Sequence, residues 1–465
     1  MELLITDTVV VTQDDERSLL DRAAVAIRGD CIAAVGETTK LERDFPDLPR
    51  FSGRGLAVFP GFINAHTHTA LTVLRGTVED WAGNAVYGYM SPVSYEMTPE
   101  ERAVMVSMGC LEAIRSGCTT LVDPFRHVPN YIDAMAATGL RLWLSENCAD
   151  INTLRIRMGD YSEDKEFGRV FLDRTVSCIE AWQGRGDGRV NFQIAAHAPD
   201  NCSPAMLHKL SELAAKYGLT RTVHLAQSME EVHAVAKMRD GLTPAGYLDR
   251  EGFLGPDLVG AHWTYCTGAD VQLLAARGVQ MAHCPANSSR RGPHTALLGL
   301  IRDAGVNVAF GTDNMTEDMF HAMKIGLITH RGGRGRAEEG GVNPSPQAVL
   351  DGVTRNGARS VGAAHLIGSI EVGKKADLTI LDLNTPSLRP VINLVSSVVH
   401  YGHPGAVHSV MVDGEFLLRN RKMLALDEEA VIAEAQRVTR RVWEGMIAKN
   451  PDIPPPPGGL RWLNI

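Results

Sequence analysis

Short apolar runs rich in β-branched residues punctuate the chain, and their spacing changes twice. Over residues 1–58 they lie close together, at 8–12, 23–27 and 31–36, with a turn at Arg28-Gly29-Asp30. Such runs separated by Gly-containing turns predict a β-meander. From residue 59 they are set apart by helical stretches such as 99–116. They recur at 119–123, 141–144, 191–195, 222–225, 258–261, 280–283 and 306–310. Strands alternating with helices predict a parallel sheet. With the opening run near residue 60 there are eight, the number that closes a (β/α)8 barrel.

The close β texture returns after about 365. Residues 367–381 read as strand, turn, strand, and 409–418 as a hairpin turning at Asp413-Gly414. The expected fold is α/β: a TIM-like (β/α)8 barrel over 59–365, with a small β-sandwich domain built from both chain ends, 1–58 and 366–425. A helix over 427–448 and a Pro-rich tail complete the segment 426–465. Pro454 to Pro457 in a row force that tail to be extended. It either docks on a neighbouring subunit through Trp462 and Leu463 or stays disordered.

The composition narrows the function. Hydrophobic residues make up 44% of the 465, enough for a large core. The formal net charge is −9 and the basic residues form no long run, which argues against nucleic acid as a partner. No apolar stretch reaches the ~18 residues of a membrane span, and Glu2 stands where a signal peptide carries positive charge. The eight cysteines are scattered without a C-x-x-C pair, as expected of free thiols in a reduced cytoplasm. The chain is thus expected to be a cytoplasmic homo-oligomer, dimer or tetramer, acting on a small molecule.

The candidate chemistry starts at Phe59-Pro60-Gly61-Phe62-Ile63-Asn64-Ala65-His66-Thr67-His68. Pro60-Gly61 bends the entry to an apolar strand. Alternate side chains of a strand share a face, so His66 and His68 can meet at one point beyond its end. Other strand ends carry His224, His262 and Asp313. In a barrel of this kind functional groups sit at these ends. Four imidazoles and a carboxylate suit one divalent metal ion per subunit, zinc by default, with cobalt, iron or manganese as alternatives.

These pieces resemble the amidohydrolase superfamily, in the branch of cytosine deaminases and atrazine chlorohydrolase. The resemblance also rests on His197-Ala198-Pro199, His224-Leu225-Ala226, Gly260-Ala261-His262, His283-Cys284-Pro285, Gly311-Thr312-Asp313-Asn314 and the stretch 368–378, and it reaches to about residue 425. It implies metal ligands His66, His68, His224 and Asp313. His262 is then a fifth ligand or the holder of the attacking water. Asp313 is the expected base that takes the water's proton and passes it on.

Two departures stand out. In the deaminases the strand-five histidine is followed three residues later by glutamate, which protonates a ring nitrogen. Here that position is Gln227, and an amide donates hydrogen bonds but relays no proton. Glu230 and Glu231 follow, on a helix expected to point them away. The second departure is Asn287-Ser288-Ser289-Arg290-Arg291, where the deaminases carry Ser-Asn and an apolar pair. Gln227 suits an already electrophilic carbonyl or thiocarbonyl. The leading expectation is therefore hydrolysis of a C–N or C–S bond in a urea, carbamate or thiocarbamate, as in superfamily members acting on phenylureas and on molinate. The alternative is an aminohydrolase or chlorohydrolase of a heteroaromatic ring. Catalytic roles fall to Asp313, His262 and Gln227. Substrate contacts fall to His197 and to a pocket wall of Trp81, Tyr87 and Trp263, with Tyr89 and Met90 beside them.

Overall fold

The structure is a computed structural model and describes residues 2–81, 85–290, 296–331 and 344–463. β1 (Glu2–Val11), β2 (Leu19–Arg28) and β3 (Cys31–Glu37) form an antiparallel meander. β4 (Arg50–Ser52) and β5 (Leu56–Pro60) run parallel to β1. The Pro60-Gly61 bend then carries the chain from this sheet into a second one.

The second sheet starts with β6 (Phe62–Asn64), β7 (Cys118–Phe125) and β8 (Arg141–Cys148). β9 (Val190–Phe192) and β10 (Ile194–Ala196) occupy one position broken at Gln193, and both pair with β8. β11 (Arg221–Leu225), β12 (Leu258–His262), β13 (Gln280–His283) and β14 (Val308–Phe310) follow. All these pairings are parallel. Last meets first where the Ala65 N–H donates to the Phe310 carbonyl at 2.9 Å and Thr67 bridges Asp313. The eight positions thus close into a (β/α)8 barrel. Its strands are buried along their length because helices cover the outer face and side chains fill the inside.

β15 (Leu378–Asp382), β16 (Val407–Val412), β17 (Glu415–Arg419) and β18 (Lys422–Met423) return to the first sheet, where β15 lies antiparallel to β5. Both chain ends therefore build one continuous mixed sheet. Leu3, Val25, Ile27, Leu378, Ile380 and Met411 share a single apolar interior, so the sheet encloses its own small core. Asp413 (φ 50°) and Gly414 (φ 75°) turn the β16–β17 hairpin with the two positive φ values that its twist demands. The hairpin tip also clamps this domain to the barrel. Arg141, buried at the start of β8, donates to both carboxylate oxygens of Asp377 at 2.7 and 3.0 Å and pairs with Asp413.

The helix Glu428–Lys449 lies on the barrel helix Pro99–Arg115, and Trp443 donates its indole N–H to the Val73 carbonyl at 2.8 Å. The tail beyond it docks on its own chain. Ile453 is buried, and the Tyr89 hydroxyl donates to the Pro454 carbonyl at 2.5 Å. No described helix is long and apolar enough to cross a membrane.

Candidate active site

Two strand ends and two loops bring five residues together at one end of the barrel. His66 and His68 follow β6, His224 lies near the end of β11, His262 ends β12 and Asp313 follows β14. All are buried. Gly311 permits this convergence: a Cβ there would stand 2.5 Å from the His66 carbonyl oxygen and 2.8 Å from its nitrogen. Asp313 itself takes φ 68°, a left-handed conformation that costs a non-glycine residue energy. It is held there by three hydrogen bonds. Its N–H donates to the His66 carbonyl at 3.0 Å, and its carbonyl accepts the His68 N–H at 2.7 Å and the Thr67 hydroxyl at 3.1 Å. His262 is in the same region with φ 79°.

The donor atoms face one another. Nε2 of His68 is 3.1 Å from Nε2 of His224 and 3.4 Å from Oδ1 of Asp313. Nε2 of His66 is 4.0 Å from Oδ1 of Asp313, and Nε2 of His262 is 4.0 Å from Oδ2. Separations of this size are what ligands held ~2.0–2.2 Å from one central ion adopt. Both ring nitrogens of His66, and Nδ1 of His68, are buried and have no hydrogen-bond partner among the described residues. Such atoms are costly unless something accepts their lone pairs. Burial, and after it the neighbouring rings of His68, His224 and His262, hold His66 well below its ordinary pKa, so it is a neutral ligand. His224 donates Nδ1–H to the His197 carbonyl at 2.6 Å, which puts its lone pair on Nε2, the nitrogen that faces His68. The residues present fit a divalent ion.

A cavity opens beside this cluster. Its wall includes His68, His197, His224, Gln227 and Asp313. Asn201 accepts the Ala198 N–H at its oxygen (3.1 Å), so its amide nitrogen must donate to His197 Nδ1. That leaves His197 an Nε2–H donor. Gln227 takes its backbone orientation from Glu231, and its side-chain amide makes no hydrogen bond within the described protein.

The aromatic wall expected from the sequence is elsewhere. Trp263 is fully buried and turned against Gly260, in the core shared by barrel and helices. Trp81 packs edge-on against Tyr89 at 4.8 Å, and Tyr89 lies 6.2 Å from Trp443, behind the cavity wall. Tyr87 donates its hydroxyl to Asp200 at 2.8 Å and reaches His197 through Asn201. Residues 86–96 are helical, so adjacent positions point in different directions. Met90, Ser91 and Ser94 face the cavity and Tyr87 and Tyr89 do not. Asn287 and Ser288 are buried in the helix Pro285–Arg290, and Ser288 meets Thr264 at 3.1 Å. Arg291 lies outside the described residues.

Two buried carboxyls near the ligands gave no sequence signal. Glu317 Oε2 accepts Asn64, Thr67 and Thr312 at 3.0, 2.6 and 3.1 Å, tying the β6 end to the β14 end. Burial raises its pKa well above the ordinary carboxylate value. Asp123 Oδ2 accepts the Thr69 N–H and hydroxyl at 3.1 and 2.6 Å, just behind His68.

Residues 57–417 match the model of the amidohydrolase family, and residues 23–47 match an imidazolonepropionase-like composite domain of bacteria. The chain is 30% identical to a 5'-deoxyadenosine deaminase of Methanosarcina acetivorans, covering 94% of this chain and 97% of that one. It is 29% identical to a 5-methylthioadenosine/S-adenosylhomocysteine deaminase of Pelotomaculum thermopropionicum, covering 95% and 98%. Among solved structures, an adenosine deaminase of Xanthomonas campestris with bound zinc superposes with a TM-score of 0.84 at 25% identity, covering 95% and 98%. Atrazine chlorohydrolase of Arthrobacter aurescens with zinc superposes with a TM-score of 0.81 at 20% identity, covering 94% and 100%, a likeness of fold. The chain belongs to the amidohydrolase family.

Proposed function

We propose that this amidohydrolase adds water to an electrophilic carbon of a small organic substrate and expels a nitrogen, sulfur or halide leaving group. The single observation that carries the reading is the convergence of His66, His68, His224 and His262 on the Asp313 carboxylate at the mouth of a cavity. His66, His68, His224 and Asp313 would hold a divalent ion, zinc by default, which when bound would supply Lewis acidity and lower the pKa of water toward about 7. Asp313 is placed to take the attacking water's proton and return it to the leaving group. His262, across from Oδ2 of Asp313, orients that water. His197 Nε2–H and the Gln227 amide donate to the heteroatom of the attacked carbon, which favours charge building there.

The names of the relatives support an amine leaving group on a purine-like ring, the alternative of the two expectations from sequence, over a urea or thiocarbamate. On this reading the ring nitrogen is polarised by hydrogen bonds from Gln227 and His197. One specific observation favours a second reading. Gln227 stands where the deaminase pattern carries its proton-relaying glutamate, and among the described residues the cavity lining contains no carboxylate but Asp313. A urea, carbamate or thiocarbamate carbonyl is electrophilic without ring protonation and needs only a donor.

The test is a product assay of the metal-loaded enzyme on 5'-deoxyadenosine, 5'-methylthioadenosine, a phenylurea and a thiocarbamate. Ammonia from the nucleosides supports the ring reading, and amine or thiol from the others supports the second. No hydrolysis of any of them by fully loaded protein would reject both.

A further inference from the structure

Among the described residues that line the cavity, Arg126 is the one guanidinium, and the proposed chemistry does not use it. It follows Phe125 at the end of β7 and is only 5% exposed. Nη1 donates to the Thr153 hydroxyl at 3.0 Å, and the group lies 5.1 Å from the centre of the Tyr95 ring. Among the described residues Nε has no partner and Arg126 makes no ion pair.

The surroundings do not neutralise it. The buried carboxylate nearby, Glu146, already accepts the His127 and Val128 N–H groups at 2.7 and 2.8 Å and meets Arg174 at 3.5 Å. Arg102, 3% exposed, is a second buried guanidinium without an ion pair among the described residues. Burial lowers its pKa to about 10, and Arg126 contributes in the same direction. Glu146 pairs with Arg174, and among the described residues neither Arg102 nor Arg126 forms an ion pair. A buried cation without a counter-charge is costly unless a ligand supplies acceptors. On the same wall, Ser94 Oγ and Asn147 Oδ1 are also buried without partners. This side of the cavity is incomplete without a polar ligand group.

We propose that Arg126 forms a substrate subsite that binds an acceptor oxygen, a carboxylate or a polarised carbonyl, on the part of the substrate remote from the reacting carbon. The planar guanidinium suits such a group better than a point charge does. The inference rests on the hydrolase reading for the identity of this cavity as the substrate site.

The test is calorimetric binding of benzoate and of aniline to the metal-loaded protein, two probes that share a ring and differ in the acceptor. Wild type is expected to favour benzoate. Arg126→Met should weaken benzoate about tenfold or more and aniline far less, at unchanged metal content. Equal weakening of both probes, no change for benzoate, or no benzoate preference in the wild type each overturn the subsite. Should Arg126→Met not fold, Arg126→Lys replaces it. Lysine keeps the charge without the planar fork, so a reduced benzoate preference is expected and an unaltered one overturns the proposal. Arg126-dependent binding without turnover on any substrate would reject the hydrolase reading and keep the subsite. Turnover with Arg126-independent binding would do the reverse.

Discussion

The backbone N–H of Gln227 donates to Oε2 of Glu231 at 2.8 Å, while Oε1 of the same carboxylate accepts the Ala226 N–H, also at 2.8 Å. Glu231 thus closes the loop after β11 instead of entering the cavity, while Ser228 caps the helix Met229–Met238 by accepting the Glu231 N–H at 3.2 Å. Ala226 takes φ 49° to allow this closure. A carboxylate four residues from Gln227 is therefore no substitute for an acid at 227. The polar group that this loop offers the substrate is the Gln227 amide.

Removing a metal ligand should remove metal and activity together. His66→Ala and His68→Ala each delete a nitrogen whose neighbours lie 3–4 Å away around one point. Plasma emission spectrometry of the purified variants should show metal well below one ion per chain, with turnover lost in proportion. Full occupancy with undiminished turnover in either variant would reject the site.

Asp313→Asn keeps an oxygen donor but removes the base. Turnover is expected to fall by roughly 10²-fold or more, the usual range for losing acid–base help. The comparison is made at matched metal content. Near-normal turnover in a metal-loaded variant would mean that another group accepts the proton.

The cluster of His66, His68, His224, His262 and Asp313 was legible because each follows or ends a buried apolar strand, and an eight-strand pattern allows only one place where those ends meet. The cavity wall was not legible. Residues 86–96 are apolar and aromatic almost throughout, and their helical path, not their composition, sends Met90 inward and Tyr89 toward Trp443. Trp263 looked like a wall residue because it adjoins His262. The positive φ of both residues turns its ring into the core instead. Glu317 and Arg126 gave no signal, since a lone charge after a strand is ordinary until its burial and missing partners are seen.

A buried carboxyl beneath the site should mark the pH dependence of stability. Burial raises Asp200 from 3.8 to about 6, although the Tyr87 hydroxyl donates to it. The folded state then holds a proton that the unfolded chain releases earlier. Stability from this group is fully present below about pH 4 and is lost as pH rises toward 6. Asp200→Asn has no such proton to lose. The stability of the variant minus that of the wild type, from denaturant melts at fixed metal content, should climb between pH 4 and 6 and level off above. A difference that stays flat, or falls, over that window would contradict the assignment.

Gln227 separates the two readings of the reaction. If the substrate is a urea or thiocarbamate, the amide only orients and polarises it. Gln227→Ala should then cost about one hydrogen bond, ~0.5–1.5 kcal/mol or up to roughly tenfold in kcat/KM. Gln227→Glu should give no gain, because a carboxylate there repels the attacking water's developing charge and loses the amide donor. If the substrate is an aminopurine-like ring, the same change restores a proton relay 8% exposed at the cavity wall, and deamination should rise sharply. Glu231 stays occupied with the backbone of residues 226 and 227 in either variant, so the effect reads position 227 alone. The measurement is steady-state kinetics of both variants on 5'-deoxyadenosine, a phenylurea and a thiocarbamate at matched metal content. A large gain on the nucleoside, with wild type inactive on the other two, decides for the ring aminohydrolase. Wild-type turnover of the carbonyl substrates, with Gln227→Glu impaired on all three, decides for the carbonyl hydrolase.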